Sequence, residues 1–169
     1  YSSSKNHKIS NCKLMKNNES GIEIKYFDKS ISITNCIIKE NKKHGIYLYE
    51  TRKITVSYCN IESNHVYGIK ILDSNKISIH HNNLINNSQH IYFESLRIYF
   101  LLGRTLFRSN YWDDRAEKGP YKIKGEIFVY KFDPFDDENR EKLRDWIFYD
   151  WFPVKTPHDI TTAYGCGIE

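Results

Sequence analysis

The sequence predicts an all-β chain wound as a right-handed parallel β-helix, a solenoid of about three to four coils with an aromatic-rich C-terminal cap. Three observations lead there: a repeat of 23 to 24 residues, a period-two alternation within each repeat, and an abrupt change of composition near residue 95. The repeat is visible in "ISNCKLMKNNESGIEI" from Ile9, "ITNCIIKENKKHGIYL" from Ile33, "VSYCNIESNHVYGIKI" from Val56 and "IHHNNLINNSQHIYF" from Ile79. Self-similarity at such a period is the signature of stacked coils.

Four columns run through these copies. Cys12, Cys36, Cys59 and Asn82 form the first; Leu14, Ile38, Ile61 and Leu84 the second; Asn17, Asn41, Asn64 and Asn87 the third. Gly21, Gly45 and Gly68 form the fourth, which lapses in the last copy. Apolar residues alternate with polar ones, as in Ile22/Ile24 and Ile31/Ile33, and this places one face of each short strand inward. The inward positions are rich in β-branched residues, which favour strands. Strands of three or four residues, broken by Gly, Asn and Ser, fit coils stacked like on like at about 4.8 Å. The asparagines are then expected to form hydrogen-bonded ladders. The cysteines form a dry ladder of free thiols, because in-register strands hold Cβ atoms about 4.8 Å apart while a disulfide wants about 3.8 Å. Cys166 is left without a partner. His44 in "TNCIIKENKKHGIYL" is then a residue before a glycine, not half of a Cys/His site.

The division expected is coils over residues 1–95 and a cap over 96–169. The cap holds 16 of the 25 aromatic residues, suited to covering the exposed end of a solenoid. It is expected to contain strands around residues 121–132. A short helix is expected around 137–147, from an Asp N-cap, an acidic first turn and Leu143, Trp146 and Ile147 at helical spacing.

The coil "GIYLYETRKITVSYCNIESN" resembles the parallel β-helix repeat of NosD-like proteins, archaeal type, a group known as periplasmic copper-binding proteins. The likeness covers about residues 5–95. Asn110, Tyr111, Trp112, Asp113, Asp114, Asp150, Trp151 and Pro153 resemble their terminal segment, with Phe152 where His is expected. The resemblance implies the coil fold and an extracellular, periplasmic or cell-surface location. It fixes no activity, because pectin-degrading enzymes, epimerases and adhesion proteins share the coil.

Chemistry is sparse in the pattern. The formal net charge is +4, with 13 Lys/Arg against 8 Asp/Glu in residues 1–95 and 12 against 13 beyond. This bias suits an acidic partner or a solvated lysine face, and no nucleic-acid motif accompanies it. No apolar run is long enough to span a membrane. The chain opens on Tyr1, so an export signal would lie outside it. Copper wants clustered His, Cys or Met; His80 and His81, as strand neighbours, are expected on opposite faces, and His44, His65 and His90 at solvated turns. No metal site and no cofactor is expected, Ca²⁺ and copper being left as unsupported alternatives. Asp113 and Asp114 are the one tempting acidic pair, read either as a catalytic or Ca²⁺-binding pair or as one turn cap beside one solvated residue. Tyr47 and Tyr49, with Lys70 and Arg52, are read either as a stacking platform for an acidic glycan or as strand decoration.

The function expected is a non-catalytic β-helix module of a larger exported or surface protein, structural or carbohydrate-binding, whose partners are an acidic polysaccharide or cell-surface glycan and the rest of its own chain. The alternatives are the C-terminal part of a carbohydrate-active enzyme (a lyase, hydrolase or epimerase) and a NosD-like copper-handling protein.

Overall fold

The computed structural model describes residues 6–27, 29–96, 105–116, 118–130, 140–160 and 166–168. Each coil contributes three short strands. The first has β1 (His7–Ser10), β2 (Lys13–Met15) and β3 (Ile22–Phe27); the second β4 (Ile31–Thr34), β5 (Ile37–Lys39) and β6 (His44–Thr51). The third has β7 (Ile54–Ser57), β8 (Asn60–Glu62) and β9 (Tyr67–Leu72); the fourth β10 (Ser78–His80), β11 (Asn83–Ile85) and β12 (Gln89–Ser95). Parallel stacking does not stop at residue 95. β13 (Leu106–Arg108) pairs with β10, and β14 (Tyr111–Trp112) pairs with β11, adding part of a fifth coil.

Register is strict. Leu14, Ile38, Ile61 and Leu84 stand opposite one another in successive coils, as do Ile9, Ile33, Val56, Ile79 and Phe107. These side chains fill one continuous core in which Ile33, Ile38, Ile54, Ile61, Ile79 and Leu84 are fully buried. A one-residue slip would turn every one of them to solvent, so the hydrophobic pattern fixes the register. Corners between strands take left-handed backbone, with φ from 53° to 57° at Asn11, Asn35, Tyr58, His81 and Ser109, residues that occupy one column.

Two polar ladders thread the core wall. Asn17 Nδ2 donates to Asn41 Oδ1 (2.8 Å), Asn41 to Asn64 (2.9 Å) and Asn64 to Asn87 (2.9 Å). In the cysteine column, Cys36 and Cys59 are buried free thiols that donate to Thr34 O and Ser57 O. The column continues with Asn82 Nδ2 donating to Asn110 Oδ1 (3.1 Å) and Asn110 Nδ2 to Asp150 Oδ2 (3.0 Å). Asp150 is fully buried and also accepts from Trp112 Nε1 and the backbone N–H groups of Ser109, Asn110 and Phe152.

Two expectations are corrected. Cys12 is not a free thiol and Cys166 is not unpaired: they form a disulfide. The 4.8 Å argument concerns stacked neighbours. Cys166 arrives instead beside β17 (Gly167–Ile168), which lies antiparallel on β1 with Ile9 opposite Ile168. The expected helix is a strand over its described part. β16 (Arg140–Asp150) pairs antiparallel with β15 (Tyr121–Tyr130), and no helix occurs among the described residues. Residues 137–139 of the expected helix, and 131–132 of the expected strand, lie outside the described residues. Leu143, Trp146 and Ile147 have helical spacing, but Trp146, Phe148 and Asp150 alternate. That alternation wins because Phe148 packs on Phe93 (ring centroids 4.7 Å) and Phe107 (5.7 Å), leaving Leu143 and Ile147 exposed. β15 continues the β3–β6–β9–β12 stack, and β16 meets β13 at Phe107 opposite Asp150, so the hairpin covers both stacks at once.

Candidate functional site

The outward side chains of β3, β6, β9 and β12 are aligned by the register that buries their neighbours. Glu23, Tyr47, Lys70 and Tyr92 form one column; Lys25, Tyr49 and Leu72 form the next. His44 stands opposite Tyr67 and stacks on it (5.2 Å, 23°), and Tyr67 stacks on Tyr92 (5.1 Å, 14°). Tyr47 lies parallel to Tyr49 at 6.4 Å. Lys25 Nζ sits 5.2 Å and Lys70 Nζ 5.7 Å from the centre of the Tyr47 ring, within cation–π range. Lys25 pairs with Glu23 (2.8 Å) and Lys43 with Glu19, whereas Lys70 has no carboxylate partner among the described residues.

Of these, Glu23, Lys25, Tyr47 and Lys70, with Glu19, Lys43 and His44, line a shallow groove of about 310 Å³. His44 Nδ1, at its wall, is buried and has no hydrogen-bond partner. Burial, reinforced by the Lys70 and Lys43 charges, lowers the His44 pKa to about 4, so the imidazole is neutral at physiological pH. Of the four residues singled out from sequence, Tyr47, Tyr49 and Lys70 share this face. Arg52 does not line the groove: it is exposed beyond β6, bridging to Asn75.

Asp113 and Asp114 gather around His90, whose Nε2 lies 2.8 Å from Asp113 Oδ1 and 3.2 Å from Asp114 Oδ1. Their other oxygens accept from Asn86 N (2.7 Å) and Tyr121 Oη (3.0 Å). His90 was expected at a solvated turn, yet it is 4% exposed. The lapse of the glycine column was the available signal, since His90 takes the place of Gly68 one coil on. The ring's orientation follows from the ladder below it. Asn87 Oδ1 accepts from Asn64, so its Nδ2 faces Ile61 O (2.8 Å) and His90 Nδ1 (3.3 Å). Accepting at Nδ1 leaves an N–H on Nε2, aimed at the carboxylates. Each carboxylate oxygen therefore already has a donor, and the group joins the fourth coil to the cap.

His80 and His81 also depart from expectation. The left-handed backbone at His81 breaks strand alternation, and the two Nδ1 atoms lie 3.0 Å apart. Alternation across strand faces does not extend through a corner.

A rigid solenoid with an ordered aromatic and cationic outer face defines a structural or binding module. The family described as right handed beta helix region matches residues 1–112, and the chain belongs to that family. No curated protein and no solved structure matches the chain.

Proposed function

We propose that the chain is a non-catalytic module of a larger exported or surface protein, and that its β3–β6–β9–β12 face binds an acidic polysaccharide. One observation carries the proposal: the Tyr47 ring stands within cation–π range of the ammonium groups of both Lys25 and Lys70, on parallel strands held in register. An aromatic ring offers a surface for a sugar's apolar face, and Lys70, which has no carboxylate partner among the described residues, offers charge pairing to a uronate carboxylate. The NosD-like resemblance of the coils and of the Asn110–Asp114 segment supports an exported setting.

Calorimetry with polygalacturonate, alginate and neutral dextran, in the presence and absence of Ca²⁺, tests it. Uronate polymers are expected to bind, dextran not, with affinity falling as salt rises. Tyr47→Ala and Lys70→Ala should each weaken binding about tenfold, corresponding to about 1.4 kcal/mol. Equal binding of dextran, or no uronate binding at all, overturns the proposal. Appearance of unsaturated or reducing ends would move the chain to the carbohydrate-active enzyme alternative.

A further inference from the structure

On a different corner of the solenoid, away from the groove, we propose that His80 and His81 form a chelating pair for a late first-row transition-metal ion, binding through their Nδ1 atoms. Two imidazoles on one ion, each with nitrogen about 2.0–2.1 Å from the metal, have those nitrogens about 3 Å apart when they meet it near a right angle, as in square-planar or octahedral coordination. The observed Nδ1–Nδ1 distance is 3.0 Å. Adjacent residues of a straight strand would face opposite ways; here His80 ends β10 and His81 turns the corner with φ 56°, and both rings come to one side.

The rings are held from both flanks. His81 stacks on Tyr58 of the preceding coil (5.1 Å, 16°), and His80 meets the same tyrosine edge-on (6.3 Å). His158 lies on the other side of His81, with ring centroids 5.5 Å apart. It is fixed there by its backbone N–H donating to Asn83 Oδ1, by Asn83 Nδ2 donating to its carbonyl, and by its Nε2 at 2.7 Å from Ser109 O. Imidazole nitrogen suits Zn²⁺, Ni²⁺ and Cu²⁺ better than Ca²⁺ or Mg²⁺. With two protein ligands, the remaining positions go to water. Arg108, in register with His80 one coil on, is the cation that opposes the ion.

The test is titration of the full chain, disulfide intact, with Zn²⁺ by calorimetry and with Co²⁺ by visible absorption. One ion per chain is expected, without the thiolate charge-transfer absorption that Cys36 or Cys59 would give. The repeat itself supplies variants suited to the backbone. His81→Asn places there the residue that Asn11 and Asn35 already are at the same left-handed corner, and His80→Ser matches Ser57 in register. Each should weaken binding at least about tenfold with melting unchanged, and Arg108→Ser should tighten it. Stoichiometric binding retained in the His80→Ser/His81→Asn double variant overturns the proposal. So does absence of binding by the unmodified chain, which would leave a hydrogen-bonded histidine pair only.

Discussion

At the scale of single residues, the asparagine column carries an unusual share of the structure. Asn64 is 1% exposed; its side chain accepts from the Asn41 N–H and Nδ2 and donates to Ile38 O and Asn87 Oδ1. Truncation strands several buried partners at once, and each unsatisfied group costs about 1–3 kcal/mol. Asn64→Ala is therefore expected to lower stability by about 3–5 kcal/mol, measured as a shift in urea midpoint. Asn17→Ala, at the exposed end of the same ladder, should lose far less. The column was legible in the sequence because its members recur at constant spacing. What His44, His81 and His90 do was not legible, because their surroundings come from neighbouring coils and from corner backbone, neither of which a single repeat displays.

Among elements, the glycine column sets how closely coils approach. A Cβ built on Gly45 would stand 2.5 Å from Gly68 O and 2.9 Å from Asn64 Nδ2, both fixed. Gly45→Ala must push apart two coils and disturb the asparagine ladder beside them. We expect a loss of about 2–3 kcal/mol in denaturant unfolding. Gly119→Ala is expected to cost about 1–3 kcal/mol for a different reason: nothing lies within 4 Å, but its φ of 118° strains any residue with a Cβ. The strands of the coils could be read from period-two alternation within the repeat. β16 could not, because its charged sequence supports two periods equally and only the partner strand β15 decides between them. Its expected helix failed for lack of knowledge of that partner.

For the molecule as a whole, coils contact mainly their neighbours, so stability is close to a sum over interfaces, and the ends matter most. The C-terminal end is covered by the β15–β16 hairpin, whose last residue Asp150 accepts from Asn110 and Trp112; at the N-terminal end β17 covers β1 and Cys166 is bonded to Cys12. The disulfide spans a sequence separation of 154 residues. Closing a loop of this size restricts the unfolded chain, and Cys166→Ser is expected to lower stability by about 3–5 kcal/mol. Thermal melts with and without reductant should show the same difference in the unmodified chain and none in the variant. This pairing was invisible in the sequence, since nothing local to either cysteine marks the other.

The same bond changes how the molecule answers to pulling. Tension entering before Cys12 and leaving after Cys166 passes from one sulfur to the other and bypasses the coils between them. The stacked strands, with the groove and the histidine corner, then lie off the load path, and only breaking the covalent link would let force unwind them.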